Sequence, residues 1–189
     1  MGNEVEMDEK YTPYNHKGTK IDGVEPKHRG TPATKRGLSN QQVCIITAKR
    51  FGHTIARTLN YGKPSSIDLL RFGECLESKS FVMLDGSNSY NELLESKNCT
   101  KKVLISHESY DKFNHLNTVN NFHKLIEEKL QKYKGVASKY INRYNALFVM
   151  QRETQEMDNT EKLQYVLLRL KNIYKITRLK DLKNEWLFV

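Results

Sequence analysis

Two adjacent runs constrain the fold most: Gln42-Val43-Cys44-Ile45-Ile46-Thr47-Ala48 and His53-Thr54-Ile55-Ala56-Arg57-Thr58-Leu59 meet across a turn near Phe51-Gly52. The first is nearly all apolar, as a strand buried on both faces must be, and the second alternates. Together they read as an antiparallel pair. Residues 4–12 add a third strand with Val5 and Met7 on one face, completing a meander. Two further strands, Phe81 to Leu84 and Lys102 to Ser106, are separated from it and from each other by segments of helical period. Strands followed by alternating helices predict an α/β protein built on a mixed sheet with helices packed against it.

The helical segments have legible ends. Ser65-Ser66-Ile67-Asp68 caps a helix running to about Leu76, with Ile67, Leu70, Leu69 and Phe72 available to face the sheet. A short helix covers Ser89 to Ser96. From Thr118 to Lys134, Val119, Phe122, Leu125, Ile126, Leu130 and Tyr133 share one helical face, and Gly135 can end the helix. Tyr140, Ile141, Tyr144, Leu147 and Phe148 mark another. A last helix starts near Asp158 to Thr160 and carries Leu163, Val166, Leu167, Leu170, Ile173 and Tyr174, a stripe expected to pack rather than to receive a partner. The expected division is a domain over residues 1–150 and a helical extension over 151–189.

Composition narrows the partners. With 38% hydrophobic and 28% charged residues, the 189-residue chain can bury one sizeable core. Its net charge of +9 favours polyanions, because each neutralised phosphate releases counterions; the plainer reading is a basic surface that maintains solubility. Cys44, Cys75 and Cys99 are too few and too scattered for a disulfide framework or a zinc ribbon, and read as reduced structural thiols. No apolar run approaches the length of a membrane span and the acidic start does not resemble a signal peptide, so the expected location is cytoplasmic.

Residues 10–36 read as a long basic loop holding Lys10, Lys17, Lys20, Lys27, Arg29, Lys35 and Arg36, for which DNA phosphate contact is the functional option. Asp8 and Asp85 each close a strand-like run. Strand ends that bring carboxylates side by side can hold divalent cations for work on a phosphodiester, although either residue alone could equally be a solvated strand end. Asn120, in the first turn of its helix, could be a ligand or a capping residue. His123, three residues further, could contact phosphate, orient Asn120 or simply make a structural hydrogen bond. Glu9 is expected to point away from Asp8, because successive strand side chains alternate in face. Lys139 and Arg143 lie one helical turn apart, suited to the DNA backbone or to a solvated face.

Several of these segments, in order, resemble the ISXO-like DDE transposase domain of bacterial insertion sequences. Glu4-Val5-Glu6-Met7-Asp8-Glu9 is similar to that family's first-aspartate strand. Lys35-Arg36-Gly37-Leu38-Ser39-Asn40-Gln41-Gln42-Val43-Cys44 resembles its Lys-Arg-Gly-Ile-Ser-Asn-Glu-Gln-Val-Cys segment and is the most specific stretch. Asp85-Gly86-Ser87-Asn88-Ser89-Tyr90 is similar to the second-aspartate motif. Val119-Asn120-Asn121-Phe122-His123 and Lys134-Gly135-Val136-Ala137-Ser138-Lys139-Tyr140 resemble the two segments that follow. The likeness spans residues 4 to 150.

The resemblance implies an RNase-H-like fold and a catalytic, metal-binding triad of Asp8, Asp85 and Asn120, with Asn in the third place as in many members. It also implies cleavage and strand transfer on double-stranded DNA with two Mg²⁺ or Mn²⁺ ions, in an oligomer that joins two element ends. Some members carry a basic residue two turns after the third position; here that place holds Glu127, and Lys124 is the nearest cation. Lys35, Arg36, Lys124, Lys139 and Arg143 are thus the expected DNA contacts, with His123 supporting the site. The rival expectation is a catalytically inactive DNA-binding or regulatory remnant. A purely structural or protein-interaction role is third.

Overall fold

The structure is a computed structural model that describes residues 4–18, 35, 37–105, 114–171, 178 and 181. Its centre is a five-stranded mixed sheet in the order β3-β2-β1-β4-β5. The strands are β1 (Glu4–Pro13), β2 (Gln42–Arg50), β3 (His53–Tyr61), β4 (Phe81–Leu84) and β5 (Thr100–Val103). The first three pair antiparallel, while β4 and β5 join parallel to β1 and to each other. The expected meander and mixed α/β architecture are therefore present, with helices on the sheet.

The first helix starts where a local signal predicts. In α1 (Ser66–Phe72) the Ser65 hydroxyl accepts from the Asp68 N–H and the Asp68 carboxylate accepts from Ser65, a capping box. It ends sooner than the sequence indicated, in a 3-10 turn over Gly73–Cys75. Its buried face is Leu69 and Phe72, not Ile67, which is exposed, because the cap geometry fixes the helix phase. The short α2 (Asn91–Ser96) buries Leu93 and Leu94 beside them. With Val5, Met7, Ile46, Val82, Leu84 and Tyr90 these residues form the larger core, on one side of the sheet.

The other side carries α3 (Asn117–Lys132) and α4 (Ile141–Glu153). Phe122 and Ile126 of α3 pack with Ile141 and Phe148 of α4 on Val43 and Ile45, while Val119 and Leu116 pack on Met83 and Leu104. So α3 crosses the sheet from β4 towards β2. Helix α4 also guards the outer strand: the Thr58 N–H donates to Asn142 Oδ1 and the Thr54 N–H to Glu153 Oε1, both at 2.8 Å. Edge amides that could template another strand are thereby occupied.

Three sequence expectations need correction. Strand β1 covers the expected residues 4–12 and continues to Pro13, so the basic loop expected from Lys10 starts later; the β2 partner is long enough to pair with it through Pro13↔Gln42. β5 spans Thr100–Val103 and ends before Ile105, because the parallel register with β4 runs from Phe81↔Thr100 to Leu84↔Val103. Helix α5 (Asn159–Leu170), capped by Asp158 and Glu161, buries no residue, and Leu163, Leu167, Leu168 and Leu170 are exposed. Of its stripe only Val166 is half-buried; Ile173 and Tyr174 lie outside the described residues. Glu153 holds the helix by accepting from Tyr165 and, at 2.9 Å, from Arg169.

Candidate active site

Strand alternation on β1 divides the acidic start of the chain between two environments. The even residues meet α3 in sequence. Glu6 Oε2 accepts from the Thr118 and Val119 N–H groups at 3.0 Å, Asp8 Oδ2 lies 3.5 Å from His123 Nδ1, and Lys10 Nζ lies 2.9 Å from Glu127 Oε2. The helix thus runs along β1 in a fixed register. Glu6 supplies its N-terminal cap from the sheet, since the residue at the cap position, Leu116, has no side chain able to do so. Asn120 is inside the helix, its N–H bonded to Leu116 O, and does not cap it.

Asp8 is held at both carboxylate oxygens. Oδ1 accepts from the Glu9 N–H at 2.9 Å, and Oδ2 faces the buried His123, whose Nε2 is 3.0 Å from Thr47 Oγ1 on β2. Asp85 follows directly on β4 and accepts from the Ser87 N–H at 3.1 Å in a local turn. Gly86, next in sequence, has φ +100°, and a Cβ there would lie 3.0 Å from Val103 Cγ1. Glycine is what lets the chain turn away and leave the Asp85 carboxylate at the strand end.

These pieces converge. One carboxylate oxygen each from Asp8, Glu9 and Asp85 lies within 4.8 Å of the others. Glu9 is the member of this group that strand alternation places away from Asp8. It does belong to the opposite face, near the buried Tyr90, yet its carboxylate reaches the group. Pairing of β1 with β4 ends at Glu6↔Met83, so among the described residues no strand pairs with β1 on that side beside Asp8 and Glu9. The signal available in sequence was only the adjacency of a second, longer acid.

Crowding shows in the protonation of Glu9, whose pKa is pushed up to about 7, first by burial and then by the charges of Asp85 and Asp8. Tyr90 works the other way: its hydroxyl lies near enough to steady the carboxylate, although it makes no hydrogen bond of good geometry. Cys44 on the same face is held up to about 12, mainly by burial, and is a packed thiol rather than a nucleophile. Three hard oxygen donors brought this close are the kind of group that a divalent ion of the Mg²⁺ class binds.

Asn120 shares a flank of α3 with His123 and Glu127, at intervals of three and seven residues, and these two meet Asp8 and Lys10. Its side chain is exposed on that flank. Other expected contacts are dispersed. Lys35 is exposed, and Arg36 is outside the described residues. Lys124 is exposed and 4.0 Å from Glu128; Lys139 lies over the Tyr140 ring; Arg143 is exposed on α4. Neither His115, 3.3 Å from Glu6 Oε1, nor any thiol joins the carboxylate group.

A mixed sheet in this order, with its first strand central and acids on that strand and at the end of β4, defines an RNase-H-like α/β protein. The chain belongs to the ISXO2-like transposase domain family, which matches residues 1–153. Comparison with curated proteins gives no match. Membership places the chain among proteins of DNA transposition, which act on DNA. No helix among the described residues is long and apolar enough to cross a membrane.

Proposed function

We propose that this chain is a transposase catalytic domain that cleaves phosphodiesters and transfers DNA strands with divalent metal. Residues 1–150 would form the catalytic domain and 151–189 an extension, the whole working as an oligomer on double-stranded DNA. The supporting observation is the convergence of Asp8, Glu9 and Asp85 within 4.8 Å. Asp8, Asp85 and Asn120 would hold Mg²⁺ or Mn²⁺, with Glu9 a further carboxylate. Two bound ions would supply an activated attacking oxygen and charge stabilisation for the departing one.

The protein's own part is positioning. Asp8, clamped between the Glu9 amide and His123, gives a fixed anionic edge, and Asp85 gives a second one at the adjoining strand end. Asn120 adds a neutral oxygen that does not increase the charge already crowded there. His123 would keep Asp8 oriented within the carboxylate group. Lys35, Arg36, Lys124, Lys139 and Arg143 would carry DNA phosphates, contacts that fix register without reading bases.

The test is a titration with Mg²⁺ and Mn²⁺ on labelled duplex and supercoiled plasmid, beside the Asp8→Ala/Asp85→Ala double variant. Metal-dependent nicking that disappears in the variant is expected. DNA binding without nicking in either protein would instead establish the inactive regulatory remnant.

A further inference from the structure

The Lys10–Glu127 pair borders the carboxylate group and takes no part in it. Lys10 is two residues beyond Asp8 on the same face of β1, hence about 7 Å along the strand. The Lys10 side chain is 21% exposed and that of Glu127 55%, so the pair sits at the solvent boundary. Lys10 lowers the pKa of Glu127, by hydrogen bonding first and by charge second. Such a bridge at the solvent boundary is weak and easily exchanged. Glu127 sits one turn after His123, so the same flank of α3 that steadies Asp8 also occupies Lys10.

We propose that Lys10 is a DNA-phosphate contact of this site and that Glu127 is its internal stand-in, displaced when DNA arrives. Neighbouring phosphates of a DNA strand lie farther apart than the ~3.4 Å axial rise, because they also wind round the duplex, so the phosphate next to the one on the carboxylates falls at about the distance of Lys10. The phosphate takes the ammonium's hydrogen bonds, and the Glu127 carboxylate moves to water. No covalent step is involved. Glu127 then competes with DNA: a duplex that does not reach the carboxylate group leaves the bridge closed.

The proposal rests on the DNA reading above, and the experiment separates the two. Fluorescence anisotropy on a generic labelled duplex, with EDTA present and NaCl varied, compares wild type, Lys10→Gln, Lys10→Arg, Glu127→Gln and Lys10→Gln/Glu127→Gln, each melted to check folding. Lys10→Gln should weaken binding roughly three- to tenfold and flatten the log affinity against log salt slope by about 0.9, the loss of one phosphate contact. Lys10→Arg should keep the slope. Glu127→Gln should tighten binding several-fold, and that gain should vanish in the double variant, since it acts through Lys10.

An unchanged slope in Lys10→Gln, or Glu127→Gln that weakens binding and lowers the melting temperature, would make the pair a structural tether and overturn the proposal. A wild-type protein with no salt-dependent DNA affinity would overturn the DNA reading itself. If Lys10→Gln does not fold, Lys10→Arg and Glu127→Gln still decide.

Discussion

His123 Nδ1 stands 3.5 Å from Asp8 Oδ2 while its Nε2 stands 3.0 Å from Thr47 Oγ1, so one buried ring on α3 links the acid on β1 to the hydroxyl on β2. Both ring nitrogens are engaged, and the ring cannot turn without leaving one of them unsatisfied in the interior. The orientation of Asp8 depends on this bridge.

Replacing His123 by Leu should therefore keep the fold, because Phe122 and Ile126 maintain the packing, but release the Asp8 carboxylate. By analogy with groups that orient metal ligands, Mn²⁺ affinity should fall about 10- to 100-fold. Calorimetric titration of Mn²⁺ into the variant checks this, and an unchanged affinity would remove His123 from the site. Thr47→Val, one step further away, should have the smaller effect.

Glu9 makes a pH prediction with a definite sign. Its pKa rises from 4.5 to about 7, so between these values the folded protein binds more protons than the unfolded chain. Stability in EDTA should consequently fall as pH rises from about 4.5 to about 7 and level off above, each pKa unit corresponding to ~1.4 kcal/mol at most. Glu9→Gln should abolish the slope and melt higher than wild type at pH 8. Thermal melts at pH 5 and pH 8 decide the matter; parallel curves for the two proteins would mean that burial of Glu9 is not felt.

Glu6 is buried and accepts both amides at the start of α3, so Glu6→Ala removes the cap and leaves two N–H groups unsatisfied. The expected loss is about 1–3 kcal/mol in urea unfolding. Glu6→Gln retains an acceptor and should cost less. Equal losses in the two variants would show that the negative charge, not the hydrogen bonds, matters at this helix end.

Gly86→Ala tests the turn that leaves Asp85 at its strand end. Positive φ at this position costs a side-chain residue roughly 1–2 kcal/mol, and the new Cβ would press on Val103. Relaxation of either strain moves Asp85, so Mg²⁺-dependent nicking should drop more than thermal stability does. Nicking that survives intact would show that the carboxylate tolerates displacement.

The sequence by itself determined the strand and helix inventory, because periodicity and caps are local. The alternation of Val5 and Met7, the Ser65–Asp68 box and the apolar face of α3 each depend on a few neighbouring residues. Motif order pointed to Asp8, Asp85 and Asn120, and local alternation put Asp8 and Glu9 on different faces. The largely exposed stripe of α5 has the same cause: periodicity shows that a face is apolar, not whether anything covers it.

Only the tertiary structure decided which groups meet. Glu9 reaches Asp8 and Asp85 where β4 stops and β1 continues, an arrangement set by register between strands far apart in sequence. Glu6 caps a helix more than a hundred residues away, and Lys10 finds Glu127 across a similar separation. Such contacts leave no local pattern: each depends on where the sheet's parallel and antiparallel pairings place α3, and that is fixed by packing on both faces at once.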